Sequence, residues 1–302
     1  MKDKVLEIED LTKEYVKGTP AVDQLSFHVE RGAVFGVLGP NGSGKTTTLG
    51  MILGVIKPSS GTYQWFGDMT DHEARKRIGA LLETPNFYPN MTAHQNLEIV
   101  AEIKKVDSEK LDDLIQLVGL GDYPNFPFKS YSLGMKQRLG IASALVGDPD
   151  VLILDEPTNG LDPKGIVEVR ELILEIARKG KTILLASHII DEVEKVCDQV
   201  AIIKKGVLLA IGSVSELLGN ETILRISCDD IDHLHDQLSK TDLSTSIDKD
   251  GESLKIRLKA NVTAAMINKW AFEKGIVLSR LEYKNRSLEE EFLAITSSDA
   301  AK

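Results

Sequence analysis

The chain has 302 residues, 42% of them hydrophobic, 27% charged and 5% aromatic, with a formal net charge of −10. Its length suits two domains, its composition excludes a disordered chain, and its acidic balance argues against a general nucleic-acid binder, which would carry a basic face. The amino-terminal segment lacks the apolar core of a secretory signal, and no stretch reaches the roughly 18 apolar residues of a membrane helix, so work at a membrane would need another chain to span it.

Val5, Leu6 and Ile8, then Leu25, Phe27 and Val29, alternate in a way that predicts an antiparallel β-layer. Tyr15 lies between them and reads either as a strand-end aromatic or as a ring stacked on a purine. The apolar run from Ala33 to Leu38 predicts a doubly covered strand, and Thr47 to Ile52 a buried helix. Between them lies Gly39-Pro40-Asn41-Gly42-Ser43-Gly44-Lys45-Thr46-Thr47, which matches the phosphate-cradling pattern G-x-x-x-x-G-K-[ST] at every fixed position. Glycines there let the backbone fold tightly and aim successive N–H groups at one anion, while the following helix offers its free amides. Lys45 then reaches the β- and γ-phosphates, and the Thr46 hydroxyl ligates Mg²⁺.

Gly61 to Gly67 and Ile78 to Leu82 read as strands, the second ending at Glu83. From Thr84 prolines and asparagines break the chain ahead of amphipathic segments such as Leu97 to Ile103 and Leu111 to Leu117, so residues 84–145 read as an inserted helical subdomain. The aromatic loop Tyr123 to Phe128 reads as a packed turn or a partner contact. Ser132 has the character of an N-cap for a helix through Leu139 and Leu145. Val151 to Leu154 predicts a central strand ending in two acids, where open α/β sheets place their ligands. Asp155 is the candidate Mg²⁺ ligand and Glu156 the candidate for polarising the attacking water.

Asn159 to Asp162 forms a turn before a helix from Ile166 to Ala177. Lys181 to Ser187 repeats the apolar-strand pattern, which puts His188 at its carboxyl end as a candidate γ-phosphate contact. Val200 to Ile203 and Val207 to Ala210 predict a hairpin. Cys197 and Cys228 have no metal-ligand spacing and read as reduced thiols of a cytosolic protein.

With these residues in place, roughly the first 215 positions resemble the nucleotide-binding subunit of ATP-binding-cassette (ABC) transporters. Gly39 to Thr46 matches its Walker A loop, Ser132-Leu133-Gly134-Met135 its signature position and Val151 to Glu156 its Walker B strand. Asn159 to Asp162 matches the D-loop, His188 the switch histidine, and Tyr15 the adenine-stacking aromatic. Two positions depart from the common pattern: Tyr131 to Met135 replaces LSGGQ, and Glu83 replaces the Q-loop glutamine beside the metal. Both departures are similar to those of exporter ATPases that protect bacteria from peptide antibiotics such as bacitracin and lantibiotics.

The resemblance implies an α/β P-loop fold with a mixed central sheet, an antiparallel β-layer and a helical subdomain, over residues 1–217. It implies ATP and Mg²⁺ as ligands, with Thr46, Glu83 and Asp155 at the metal and Lys45, Glu156 and His188 catalytic. Two cassettes would pair head to tail, as a homodimer or with a similar subunit, so that Ser132 to Met135 of one covers ATP on the loop of the other, near Asp162. An integral membrane permease would be the partner, and the chain would be cytoplasmic, peripheral on the inner face of the cell membrane.

Residues 218–302 read as a small α+β accessory domain of ferredoxin-like type, with a dimerising or regulatory role as the default. Its expected strands are Thr222 to Ser227, Leu254 to Leu258 and Ile276 to Leu281. Its expected helices are Ile231 to Leu238 and Val262 to Phe272, with a hairpin turn over Asp248 to Glu252, a capped helix from Ser287 and a frayed tail from Thr296. The leading expectation is therefore an ATPase subunit energising export. The alternatives are a soluble cassette ATPase of translation or repair, which would carry two cassettes or long coiled coils, and a nucleotide switch without turnover.

Overall fold

The computed structural model describes residues 3–67, 69–218, 223–259, 261–284 and 287–298. Glu221 and Thr222, where the sequence places the end of the cassette motifs and the start of a strand, and the tail from Asp299, lie outside the described residues. The chain divides into two compact units, one formed by Met1–Val214 with Phe292–Lys302 and the other by Ser215–Glu291.

The first unit opens with β1 (Lys4–Val16) and β2 (Thr19–Glu30), followed by β3 (Val34–Leu38), α1 (Lys45–Ile52) and β4 (Ser60–Trp65). Strands β2, β1 and β4 form an antiparallel sheet in that order. After α2 (Asp71–Lys76) and β5 (Ile78–Leu81) come α3 (Ala93–Lys104), α4 (Leu111–Leu117) and α5 (Leu133–Leu145). Then follow β6 (Val151–Asp155), α6 (Pro163–Arg178), β7 (Thr182–Ser187), α7 (Ile190–Val196), β8 (Gln199–Lys204) and β9 (Val207–Ser213). The central sheet has the order β5-β6-β7-β3-β8-β9, with all pairs parallel except the β8–β9 hairpin.

Every residue of β3, β6 and β7 is buried, as expected of strands covered on both faces. Helix α1 sits between the two sheets: Leu49, Met51 and Ile52 share one core with Leu6, Leu25 and Phe27 of the antiparallel layer and Val37, Ile153 and Leu184 of the central sheet. The helix is polar in its first turn, Lys45 to Thr48, and apolar and buried from Leu49 onward, so polar and apolar residues separate along its length and leave no amphipathic stripe. By contrast α6 has one solvent face and buries Val169, Leu172, Ile173 and Ile176 at helical spacing.

The second unit contains α8 (Val214–Leu218), most of which lies in it, then β10 (Ile223–Cys228), α9 (Ile231–Leu238), β11 (Ser244–Asp250), β12 (Ser253–Leu258), α10 (Ala264–Glu273) and β13 (Leu278–Lys284). The strands form an antiparallel sheet ordered β11-β12-β10-β13, which gives β-α-β-β-α-β connectivity. Leu224, Ile226, Leu254 and Ile256 of the sheet pack with Leu234, Leu238, Ile267 and Ala271 of the helices. Helix α11 (Leu288–Ser298) bridges the division of the chain, and its Thr296 carbonyl accepts a hydrogen bond from Lys204 Nζ at 2.6 Å within the first unit.

Several elements were not expected from the sequence. Helices α2, α7 and α8 are too short for periodicity to register, and β11 reads Ser-Thr-Ser-Ile-Asp-Lys-Asp, a polar run held by its pairing with β12. The hairpin turn expected over Asp248 to Glu252 is tighter than predicted. Asp248 and Asp250 belong to β11, and only Gly251, at φ 62°, and Glu252 separate the strands.

Candidate functional site: a phosphate-binding loop facing a row of strand-end acids

The loop between β3 and α1 is held in one shape by backbone contacts that exclude side chains. Gly42 and Gly44 have φ of 78° and 104°, in the left-handed region that glycine enters without penalty. A Cβ at Gly39 would lie 2.2 Å from the Ile203 carbonyl oxygen, and one at Gly44 2.5 Å from that of Ala21. The β8–β9 hairpin braces the loop further, through Gly206 N donating to Ser43 O at 2.9 Å. Helix α1 starts at Lys45 without a side-chain cap, so its first amides are available to an anion. Lys45 is only 5% exposed and donates to the carbonyls of Gly39 at 2.8 Å and Pro40 at 3.3 Å. Ser43 Oγ is buried without a hydrogen-bond partner.

Parallel pairing brings the carboxyl ends of β5, β6 and β7 into line beside this loop. Leu81 pairs with Leu154, and Asp155 with Ala186, so Glu83, Asp155, Glu156 and His188 emerge along one edge. Glu156 has φ of 48° and is fixed there by its amide donating to Ala186 O at 2.9 Å. Both of its carboxylate oxygens are engaged. Oε1 lies 3.2 Å from Lys45 Nζ, while Oε2 lies 2.7 Å from His188 Nδ1 and accepts from the His188 amide at 3.3 Å. An ionised carboxylate only accepts, so His188 Nδ1 carries its proton. In the neutral ring that leaves Nε2 as the acceptor.

Asp155 is 2% exposed. Its carboxylate accepts from the Thr46 hydroxyl, yet Oδ1 has no hydrogen-bond partner. Burial pushes the Asp155 carboxyl above the usual carboxylate range. Glu156 and Glu83 add to that rise, and the Thr46 hydrogen bond and Lys45 oppose it. A raised acid holds its proton more tightly folded than unfolded, so it stabilises the fold at low pH and loses that contribution as pH rises through its native value. Asp155→Asn is therefore expected to raise the melting temperature of the nucleotide-free protein at pH 7 by roughly a few degrees. In thermal scans the gain should shrink toward the ordinary aspartate range, and an unchanged or lower melting temperature at pH 7 would contradict it.

The orphaned Asp155 oxygen, the Thr46 hydroxyl and the Glu83 carboxylate are hard oxygen donors that suit a small divalent cation such as Mg²⁺. Among the described residues no group of three or more His, Cys, Asp or Glu side chains is placed to hold a metal alone. That agrees with an ion that keeps waters and phosphate oxygens and takes few protein ligands.

The remaining candidates stand on other elements, and no hydrogen bond described joins them to the loop. Ser132 caps α5 by accepting from the Met135 amide at 3.3 Å, Leu133 is exposed, and Gly134 has open space where a Cβ would be. Asp162 caps α6 by accepting from Gly165 N at 3.0 Å. Tyr15 is 62% exposed at the end of β1, with Lys13 Nζ 5.2 Å from its ring centre. The packed-turn reading of the aromatic loop holds for Phe128, whose ring contacts Phe87 and Tyr131, and Tyr123 stacks edge-on against Phe126.

Sequence reasoning missed Arg138. Its Nη1 donates to the carbonyls of Val118 at 3.0 Å and Gly119 at 3.2 Å, ending α4, while Nη2 lies 3.5 Å from Glu168 of α6. It thereby ties the helix that Ser132 caps to the helix that Asp162 caps. An arginine six residues after an N-cap carries no signal of its own.

A buried strand, a glycine-rich anion loop, a helix and a neighbouring strand ending in paired acids define a P-loop nucleotide triphosphatase. Residues 22–159 match the ABC transporter family. The bacitracin transport ATP-binding protein BcrA of Bacillus licheniformis is 46% identical over 210 residues, which is 68% of each chain. The lantibiotic transport ATP-binding protein SrtF of Streptococcus pyogenes is 39% identical over 205 residues, 68% of this chain and 89% of that one. The solved structure of cbiO1 from Clostridium perfringens, part of the ABC transporter complex cbiONQ, matches with a TM-score of 0.65 at 32% identity, covering 72% of this chain and 91% of that one. The chain belongs to the ABC transporter ATP-binding proteins, and it is an ATPase subunit that hydrolyses ATP to power transport. No described helix is long and apolar enough to cross a membrane.

Proposed function

We propose that this chain energises export of peptide antibiotics of the bacitracin or lantibiotic class through a separate integral membrane permease, on whose cytoplasmic face it sits. The observation that carries this reading is the similarity to BcrA and SrtF over 210 and 205 residues. Residues 1–217 form the ATP-binding domain, with the helical subdomain of 84–145 as its contact with the permease. Residues 218–302 form a ferredoxin-like accessory domain with a dimerising or regulatory role.

Two copies associate head to tail, as a homodimer or with a similar subunit. The amides of Gly39 to Thr47 and Lys45 hold the phosphates of ATP, and Tyr15 stacks on the adenine. Ser132, Leu133, Gly134 and Met135 of the second copy close over the γ-phosphate, with Asp162 across the interface. Thr46, Asp155 and Glu83 hold Mg²⁺, which when bound offsets phosphate charge. Glu156 orients and deprotonates water, and His188 contacts the γ-phosphate. The resting ion pair of Glu156 with Lys45 must open for Lys45 to turn to the phosphates.

The test is affinity isolation of the tagged chain from its native membranes, together with susceptibility of cells whose copy carries Glu156→Gln. Co-isolation of an integral membrane protein and increased sensitivity to bacitracin or a lantibiotic are expected. Absence of both overturns the reading.

A further inference from the structure

The edge formed by β5, β6 and the loop before α1 carries more negative charge than its protein partners balance. Three carboxylates, Glu83, Asp155 and Glu156, face one ammonium, Lys45, and one imidazole, His188. Lys45 and His188 are both spent on Glu156. Asp155 has only the Thr46 hydroxyl on one side, and its Oδ1, inside a residue 2% exposed, meets no donor. Glu83 has no hydrogen bond or ion pair among the described residues. It lies just past the end of β5 at Leu81, and its charge acts on Asp155. Its backbone is in the left-handed region, φ 57°, unusual for a side-chain-bearing residue and a mark of a position held by its surroundings.

A buried carboxylate oxygen with no donor is costly, and no protein group donates to Asp155 Oδ1. With a neutral amide at position 83 the edge would hold one such carboxylate, and a divalent ion would depend on nucleotide phosphates for most of its ligands. With Glu83 the edge offers two anionic oxygen donors and a hydroxyl before any nucleotide arrives.

We propose that Glu83 makes this edge a divalent-cation site that fills in the absence of nucleotide, so that the metal binds first and ATP then enters a site whose acidic edge is already neutralised. The order of events rests on the reading of the loop as an ATP site. The cation affinity does not, because it is measured on the nucleotide-free chain.

The full chain, freed of nucleotide, is titrated with Mn²⁺ as a paramagnetic probe and followed by electron paramagnetic resonance, with Mg²⁺ as competitor. Wild type is expected to bind one Mn²⁺ per chain that Mg²⁺ displaces. Glu83→Gln, on an exposed residue and nearly isosteric, should raise the Kd by roughly tenfold or more, the scale on which loss of a supporting ligand shifts metal affinity. Asp155→Asn should weaken it as well. In parallel, a fluorescent ATP analogue is titrated in EDTA, where Glu83→Gln should bind at least as tightly as wild type, because one repelling charge is gone. Failure of wild type to bind Mn²⁺ without nucleotide, or equal Mn²⁺ affinity in Glu83→Gln, overturns the proposal. Loss of ATP binding in every arm while Mn²⁺ binding persists would count against the nucleotide reading alone.

Discussion

Glu156→Gln is expected to lower ATP turnover by about 10²–10⁴-fold, the range for removal of a general base, while leaving ATP binding intact. The reason lies in the two oxygens of this side chain, one on Lys45 and one on His188. An amide of the same shape can still occupy the space, but it cannot accept a proton from water, and its NH₂ group must face either a cation or the Nδ1–H of His188. The expected signature is a pair of results: phosphate release falls to background, and the ATP-bound variant accumulates as a dimer in size-exclusion chromatography with light scattering. Unchanged turnover would move the water-activating role away from Glu156 and return weight to a nucleotide switch that does not hydrolyse.

Lys45→Met has the second-largest expected effect, on binding instead of turnover. Truncating one member of a desolvated charge pair costs about 2–5 kcal/mol, which at 1.4 kcal/mol per decade is roughly a 30-fold or greater rise in the Kd for ATP. Fluorescent-nucleotide titration measures it directly. The fold should survive, because Glu156 keeps His188 as a partner and the carbonyls of Gly39 and Pro40 that lose Lys45 lie at the mouth of the loop, within reach of water. A Kd within a factor of about three of wild type, a difference of well under 1 kcal/mol, would show that the phosphates rest on the backbone amides alone.

Together the two substitutions separate roles that the resting structure joins. Lys45 and Glu156 form one ion pair here, yet their expected losses fall on different steps. The pair is a property of the nucleotide-free state, and each partner acquires a separate task once phosphate competes for Lys45.

Much of this protein was legible in the amino-acid order because its chemistry is local. The shape of the loop at residues 39–47 depends on glycines whose φ and close approaches are dictated within a few residues, and Ser132 and Asp162 cap helices through bonds spanning three residues. The buried strands β3, β6 and β7 announced themselves as apolar runs, since a strand covered on both faces has no polar position. What the sequence left open was decided by pairing over long separations. That Glu156 takes one oxygen to Lys45 and the other to His188 follows from strand order and register, which bring residues 45, 156 and 188 together. The sequence likewise could not show that an Asp155 oxygen is left without a partner, or that Arg138 ties α5 to the end of α4 and to α6. Local pattern specified the parts because backbone sterics act over a few residues. The charge balance of the site is a sum over side chains from separate strands, and only the tertiary structure fixes which of them meet.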